Sequence, residues 1–237
     1  GRGYIAVFMQ HVGRDESVWK DVGPLRRMFA LKKAASSKNF MLRVQDVSAV
    51  LDQLKNLNQK SDLPLSGKMD LSRVGMSGHS FGALTTQAVS GEKIPLSQSL
   101  TERRIKAAMP LSPGSRKMIS PDESFGEVSI PWLLMTGTHD LGLIGGQTID
   151  ARLAVFPALP KGNHYEVVLY KAEHSVFNDK AFPRDKLPRN PNHHRVILGL
   201  STAFWDAYLR NDAEARSWLN GDAPRGIMEK QDRWQKK

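Results

Sequence analysis

A serine between two glycines is a strong chemical signal in this 237-residue sequence, at Gly78-His79-Ser80-Phe81-Gly82. The apolar run over 71–77 precedes it and a stretch with helical spacing follows, so the serine is predicted on a strand-to-helix turn. The flanking glycines permit a turn tight enough to hold Ser80 in strained backbone with its hydroxyl above the sheet. That arrangement is typical of a nucleophile, and the N–H of Phe81 is the expected oxyanion donor.

A serine hydroxyl needs a base that accepts its proton and a carboxylate that orients the base. Behind a strand-turn-helix serine, the acid and then the histidine follow along the chain. Asp140 comes shortly after the apolar strand predicted over 130–135, which favours Asp140 as the acid. The competing carboxylates are Asp122 and Glu123, in the loop after the preceding strand, and Asp150, inside a helical pattern.

Among the seven histidines, His174 is the favoured base. It follows the strand predicted over 165–170 by four residues, and a short loop there can place the imidazole over Ser80. The other histidines precede the serine, adjoin the acid, begin a strand or open the last helix: His11, His79, His139, His164, His193 and His194. The three side chains Ser80, Asp140 and His174 therefore predict nucleophilic catalysis by a triad.

The elements that must position these residues alternate between strand and helix, and the strands are almost continuously apolar. This pattern predicts one α/β domain over 1–237, a mostly parallel sheet with helices on both faces. The predicted strands are 4–10, 71–77, 105–111, 130–135 and 165–170, and the predicted helices are 39–57, 81–89, 148–156 and 195–209.

Composition excludes several classes of protein. The chain carries 34 Lys and Arg against 24 Asp and Glu, but the cations are scattered without interleaved aromatics, which disfavours nucleic-acid binding. No apolar run reaches membrane-spanning length. The absence of cysteine excludes disulfides and a thiolate nucleophile, and we expect no metal or cofactor. The compartment stays open: a soluble chain that begins at Gly1 is either a secreted protein whose signal peptide has been removed or part of a longer chain.

Three segments carry a resemblance to a known family: Gly78–Gly82, Thr136–Asp140 and Glu173–Phe177. Together they resemble the α/β-hydrolases, in particular the dienelactone-hydrolase-like and platelet-activating-factor acetylhydrolase-like serine esterases, with polyester hydrolases and cutinases more distant. The resemblance covers nearly the whole chain and implies that Ser80, Asp140 and His174 form the triad. Dienelactone hydrolases proper carry cysteine at the position of Ser80, which argues against that reaction.

Members of that family have strands upstream of the run over 4–10, one of which leads into a loop with a second oxyanion donor. No such strand precedes Gly1, so an N-terminally shortened fold is expected. Either upstream residues fill the gap, from another chain for example, or 4–10 pairs directly with 71–77. The second arrangement is preferred because it satisfies the backbone, and it would offer an N–H of His11 or Val12 to the oxyanion.

The expected activity is carboxylic-ester hydrolysis through an acyl-enzyme, on short-chain esters. A polyester hydrolase is the alternative within this class, and a catalytically inactive scaffold that serves as a binding module is the alternative from another class. Trp132 and Phe177, together with Phe125 and Met118, lie near predicted strand ends and are expected to line an acyl pocket, although these residue types are equally typical of a core.

Overall fold

The computed structural model describes residues 2–11, 23, 35–60, 64–95, 99–142 and 146–237. Contacts within it divide the chain into two compact units, residues 1–71 and 72–237. Each unit is described by itself below, and one domain over 1–237 stays a prediction.

The regular element described in the first unit is the long helix α1 (Ser37–Gln59). The Ser36 hydroxyl caps its start by accepting a hydrogen bond from the Asn39 N–H at 3.2 Å. The side chains buried along α1 recur every three or four residues, which is the spacing of one helical face: Phe40, Val44, Val47 and Leu51. The predicted helix over 39–57 is therefore present and extends two residues further at each end.

The strand predicted over 4–10 is not present. Residues 4–10 form no regular element, and several of their apolar side chains are exposed, Phe8 at 93%. The preferred shortened sheet, with 4–10 paired to 71–77, is therefore wrong. A strand needs a neighbouring strand to satisfy its N–H and C=O groups, and residues 4–10 are not among the five strands of the described sheet, so β propensity alone does not make them a strand.

The second unit contains a sheet of five strands in the order β1-β2-β3-β4-β5 among the described residues. The first four strands are parallel to one another, and β5 pairs with β4 in the antiparallel direction. The strands are β1 (Val74–His79), β2 (Ile105–Leu111), β3 (Trp132–His139), β4 (His164–Glu173) and β5 (Arg233–Lys236). The helices are α2 (Phe81–Val89), α3 (Pro121–Phe125), α4 (Ile149–Leu153), α5 (Val155–Ala158), α6 (Pro191–Leu209) and α7 (Ala213–Asn220).

Buried side chains alternate between the two faces of this sheet, because successive residues of a strand point in opposite directions. One face packs against α6 through Met109, Leu133, Val167, Val196, Leu200 and Phe204. The other face packs against α3 and α5 through Ala108, Trp132, Leu134, Phe125 and Val155. The predicted α/β class, with a mostly parallel sheet covered on both faces, is confirmed.

The structure also differs from the predicted element list. The predicted helix over 148–156 is two short helices, α4 and α5, and β5 and α7 follow the element expected to close the chain. Strand β5 escapes sequence analysis because its sequence, Arg-Trp-Gln-Lys, is mostly polar. In the part of the chain that the structure describes, no helix combines the length and apolar character that a membrane crossing requires.

Candidate active site

Ser80 occupies a strained turn between β1 and α2. Its backbone angles are φ 59° and ψ −114°, in a region that residues other than glycine rarely adopt. The Ser80 N–H donates to the Leu111 carbonyl at 3.0 Å, which ties the turn to the end of β2. A side chain at Gly78 would place its Cβ 2.4 Å from the Gly82 carbonyl oxygen, so this turn requires glycine there.

Three polar side chains form a continuous hydrogen-bonded chain at the carboxyl ends of the parallel strands. The Ser80 Oγ lies 2.9 Å from the His174 Nε2, and the His174 Nδ1 lies 2.5 Å from the Asp140 Oδ1. The parallel topology explains the meeting, because each residue follows the end of its strand at one edge of the sheet. Among the described residues, Asp140 is the carboxylate hydrogen-bonded to His174.

The other carboxylates considered from the sequence lie elsewhere. Asp122 and Glu123 belong to the first turn of α3, where acidic side chains suit the helix dipole. Asp150 belongs to the first turn of α4. The structure thus brings together Ser80, Asp140 and His174 from the set that sequence analysis proposed.

A bulge near the end of β4 shapes the approach of His174. Lys171 has a φ of 59°, and the pairing register between β3 and β4 shifts between Gly137 and His139. A Cβ added at Gly137 would lie 2.2 Å from the Ala172 carbonyl oxygen, so the two backbones can approach this closely only at glycine. The chain then enters a 3₁₀ turn (His174–Phe177), which begins with the imidazole facing the serine.

The Asp140 carboxylate is fully buried and bonded at both oxygens. The Thr136 hydroxyl donates to Oδ2 at 2.8 Å, and the Arg152 guanidinium lies 3.1 Å from Oδ1 beside the bond from His174. Burial by itself would raise the pKa of Asp140, but the hydrogen bond from His174 and the positive charge of Arg152 outweigh it and lower that pKa. Asp140 is therefore ionised at neutral pH.

His79 and Phe177 stand beside the imidazole of His174. The ring centroid of His79 is 4.6 Å from that of His174 and 5.3 Å from that of Phe177. Burial, followed by the charge of His174, lowers the pKa of His79 to about 4, so its ring is neutral at pH 7. The two rings form an uncharged wall next to the catalytic candidates, and the expected role of Phe177 toward substrate stays a prediction.

The other expected pocket residues are not brought to this site. Trp132 is fully buried at the beginning of β3, which at about 3.3 Å per residue places it roughly 23 Å from the strand end that leads to Asp140. Its partner in the core is Phe125, whose ring lies edge-on to it at 6.1 Å. The substrate-binding expectation for Trp132 is corrected, because a residue that starts a parallel strand lies at the edge opposite the site. Met118 is 85% exposed, and its expected role in an acyl pocket stays a prediction.

The expected oxyanion donors have three different outcomes. Phe81 is the first residue of α2, directly after Ser80, which is the position expected of a donor on the helix N-terminus. His11 belongs to the first unit, where its Nδ1 lies 2.7 Å from the Asp46 Oδ2. Val12 lies outside the described residues. The second donor therefore stays a prediction.

Sequence reasoning gave no role to Thr136 or Arg152, although both bind Asp140. Thr136 precedes the acid by four residues on the same strand end, a spacing that inspection can find. Arg152 lies in a short helical segment, two residues after Asp150, and a long cationic side chain in such a segment normally predicts an exposed position. Its burial results from the packing of α4 against the loops after β2 and β3, so the local sequence carries no signal of it.

An α/β sheet with a strained serine, a histidine and a buried carboxylate at its carboxyl edge defines a serine hydrolase of the α/β-hydrolase class. Comparison with protein families agrees: residues 33–184, well over half of the chain, match the PET hydrolase-like family. The chain belongs to this family, whose members hydrolyse esters through a Ser-His-Asp triad, and it is a carboxylic-ester hydrolase. No protein in the curated collection of known proteins matches the chain.

Proposed function

We propose that Ser80, His174 and Asp140 are the catalytic triad of this hydrolase and that its substrates are short-chain carboxylic esters. The observation that carries the proposal is the unbroken chain of contacts from the Ser80 Oγ through both imidazole nitrogens to a carboxylate with no exposed surface. Two short contacts in series, with a strained serine at one end, are the geometry that nucleophilic catalysis requires.

In acylation, the His174 Nε2 accepts the proton of the Ser80 hydroxyl as its oxygen attacks the ester carbonyl carbon. The negative charge that develops on the carbonyl oxygen is stabilised by the N–H of Phe81. The carbon–oxygen bond to the alcohol then breaks, and His174 returns its proton to the departing alkoxide. The product of this half-reaction is an acyl group on Ser80 and a free alcohol.

In deacylation, the same imidazole accepts a proton from water, and the resulting hydroxide attacks the acyl carbon. The bond to Ser80 breaks, the serine oxygen recovers the proton from His174, and the acid is released. Asp140 keeps the proton of the neutral imidazole on Nδ1, so that Nε2 is free to act as base, and it stabilises the imidazolium in both steps.

A second substrate class is favoured by the family match. The description of the matched family refers to the polyester polyethylene terephthalate. A polyester chain would present the same kind of ester bond to the same triad. Hydrolysis of a polyethylene terephthalate film, measured as soluble aromatic acid released, distinguishes the two substrate classes. Activity on p-nitrophenyl esters without release from the film assigns the enzyme to small esters.

Hydrolysis of p-nitrophenyl acetate and butyrate, with Ser80→Ala as the test variant, examines the proposal directly. We expect Ser80→Ala to lower kcat by at least about 10³-fold with an almost unchanged melting temperature, because removal of a triad serine can cost up to about 10⁶. Ser217→Ala, at an exposed serine of α7, is the matched control and should keep wild-type rates. A fluorophosphonate probe should label Ser80 alone.

Two outcomes would contradict the proposal. Retention of more than a few percent of activity in Ser80→Ala would mean that another group is the nucleophile. A wild-type protein that neither hydrolyses these esters nor reacts with the probe would support the inactive-scaffold alternative. EDTA is expected to leave the rate unchanged, since no step of the mechanism uses a metal.

A further inference from the structure

Arg152 is a buried cation whose hydrogen-bond donors all face the loops around the triad. Its side chain is 2% exposed, and its Nε donates to the Asp140 carbonyl oxygen at 2.6 Å. Its Nη1 donates to the carbonyl oxygens of Ser112 and Pro113 at 2.6 and 2.9 Å, and its Nη2 faces the Asp140 carboxylate. The planar guanidinium of Arg152 thus contacts both the backbone and the side chain of Asp140.

The loop after β2, whose carbonyl oxygens accept hydrogen bonds from Arg152, has an unusual backbone conformation. Ser112, directly after β2, has a φ of 60°, and its N–H donates to the Met135 carbonyl at 2.8 Å. Ser115 on the same loop donates to the Ala151 carbonyl of α4 at 2.9 Å. Arg152 therefore joins the loop after β2 to the acid after β3, and a shift in either would move the Asp140 carboxylate relative to His174.

Burying a guanidinium is costly unless anions and carbonyl oxygens surround it. Burial lowers the pKa of Arg152 and the charge of Asp140 opposes that change, while an arginine side chain in a protein stays protonated throughout. A positive charge consequently persists at this place across the pH range in which an esterase works. A neutral donor could have satisfied the same carbonyl oxygens without that cost.

The charge also lies next to the imidazole. The Arg152 Nη2 is 3.4 Å from the His174 Nδ1. Because the Nδ1 proton is donated to Asp140 at 2.5 Å, that nitrogen has no lone pair for Arg152, and the contact is the approach of a positive charge to the ring. Such a charge opposes protonation of His174, whereas Asp140 favours it.

Three other titratable groups lie close to His174 in space or along the chain: His79, Glu173 and Asp185. His79, after β1, is neutral near pH 7. Glu173 precedes the imidazole, and its carboxylate accepts the N–H groups of Lys186 and Leu187 at about 3.0 Å. Asp185 accepts the hydroxyl of Ser175. Arg152 is the cation in direct contact with the imidazole among the described residues.

We infer that Arg152 is a positioning residue of the ester hydrolase: it fixes the Asp140 carboxylate against His174 and holds a positive charge beside the imidazole, opposite in sign to the charge of Asp140. The inference rests on the proposed triad. Without Arg152, Asp140 alone would stabilise the imidazolium, and an imidazole that is already protonated cannot accept the proton of Ser80. Arg152 acts through Asp140 and His174 and touches no reacting atom.

The test is the pH profile of kcat/KM for p-nitrophenyl butyrate in Arg152→Met and Arg152→Lys. In Arg152→Met we expect kcat/KM at pH 7 to fall by about 10- to 100-fold and the acid limb to move to higher pH by about one unit, because the imidazolium loses a repelling charge. KM should stay within about threefold, since Arg152 does not contact substrate. An acid limb that stays in place or moves to lower pH overturns the inference.

Arg152→Lys separates charge from geometry. An ammonium preserves the charge but cannot reproduce the planar fork that binds Ser112, Pro113 and Asp140 together. We expect kcat to fall about 5- to 10-fold while the acid limb moves less than about 0.3 pH units. If Arg152→Met does not fold, as judged by circular dichroism, the lysine variant decides: a wild-type kcat in Arg152→Lys overturns the inference.

Arg233→Met is the matched control, because it removes another arginine that is paired with a buried carboxylate, Glu166. We expect it to leave both kcat and the acid limb at wild-type values. Failure of the proposed function has a different signature, namely an inactive wild type or an active Ser80→Ala. An active wild type, an inactive Ser80→Ala and an unmoved acid limb in Arg152→Met would contradict the role of Arg152 alone.

Discussion

Two regions of the second unit each bury a carboxylate beside an arginine, yet the carboxylates respond in opposite ways. Asp140 pairs with Arg152 after β3, and Glu166 on β4 pairs with Arg233 on β5. Neither carboxylate has exposed surface. The pKa of Asp140 is lowered, whereas burial raises the pKa of Glu166 by more than the charge of Arg233 lowers it.

The difference lies in the number and burial of the donors. Both oxygens of Asp140 are bonded, and the Arg152 side chain is itself 2% exposed. At Glu166, Arg233 and Gln235 both donate to Oε2, at 2.7 and 3.0 Å, and Oε1 has no hydrogen-bond partner. The Arg233 side chain is 46% exposed, so water screens its charge. A buried arginine beside a carboxylate with both oxygens bonded outweighs the effect of burial on the pKa of the acid, whereas a half-exposed arginine on one oxygen does not.

The largest expected effect is a contrast in activity between two isosteric variants. Asp140→Asn should lower kcat/KM by about 10³- to 10⁴-fold, because the amide no longer selects the imidazole tautomer. Glu166→Gln should stay within about twofold of wild type, because it lies away from the triad. The measurement is p-nitrophenyl butyrate hydrolysis at pH 8.

Asp122→Asn and Asp150→Asn are the controls for the choice of acid, and both should keep nearly full activity. A loss at Asp122 as large as that at Asp140 would transfer the role of acid to α3. Loss of activity in Glu166→Gln would show that the two regions are not functionally distinct.

A smaller effect concerns the histidine that accompanies each carboxylate. Burial lowers the pKa of both His79, beside the triad, and His164, two residues before Glu166, to about 4. Between pH 6.5 and 4 these histidines bind protons in the unfolded chain but not in the folded protein. The free energy of unfolding therefore falls as pH falls through this window. Each histidine should contribute about 3 kcal/mol to that loss.

Urea unfolding at pH 7 and pH 4.5 measures this dependence in His79→Gln and His164→Gln. Each variant should lose about 2 to 3 kcal/mol less than wild type between the two pH values. Only His79→Gln should also change ester hydrolysis, because His164 begins β4 at the edge opposite the triad. A pH dependence equal to that of wild type in both variants would mean that these imidazoles protonate freely in the folded protein.

Thr136→Val examines whether the second oxygen of Asp140 needs its donor. A hydrogen bond to a charged group contributes about 1.5 to 3 kcal/mol, and its loss in a buried site leaves Oδ2 unsatisfied. We expect about a tenfold lower kcat and a free energy of unfolding lower by about 2 kcal/mol at pH 7. Thr136→Ser, which retains the hydroxyl, should recover most of kcat, and an equal loss in both variants would assign the effect to packing.

The smallest expected effect is at Glu166. Since burial raises its pKa in the folded protein, the folded state binds a proton more tightly, and this contribution to stability is lost as pH rises through that pKa. Glu166→Gln carries no such proton and should therefore lose less stability than wild type between pH 4.5 and pH 8. The difference is measured by urea unfolding at the two pH values. A steeper loss in the variant would mean that Arg233 stabilises the charged form after all.

Much of the fold could be predicted because its signals are local. The helical spacing of α1, the glycine-flanked turn at Ser80 and the apolar runs of β2 and β3 are readable within a few residues each. The positions of Asp140 and His174 follow from strand ends, because a parallel sheet gathers the carboxyl ends of its strands at one edge. These rules depend on chain direction and periodicity alone.

Features that depend on a partner distant in sequence could not be predicted. The polar strand β5 exists because the backbone of β4 offers it a hydrogen-bonding edge, whereas the β-rich residues 4–10 belong to none of the five strands of the described sheet. Trp132 is expected to line an acyl pocket from its place near a predicted strand end, but it lies at the start of β3, in the core.

The amino-acid sequence by itself therefore determined the α/β class, the strained serine turn and the order of the three triad candidates, because local periodicity and glycine geometry encode them. Only the tertiary structure decided how the acid is held. Arg152 and Asp140 are twelve residues apart, and the carbonyl groups of Ser112 and Pro113, which also bind Arg152, lie about forty residues before it. The sign of a buried carboxylate's pKa depends on how many donors reach it and how much water surrounds them, and both quantities exist only after the loops have packed.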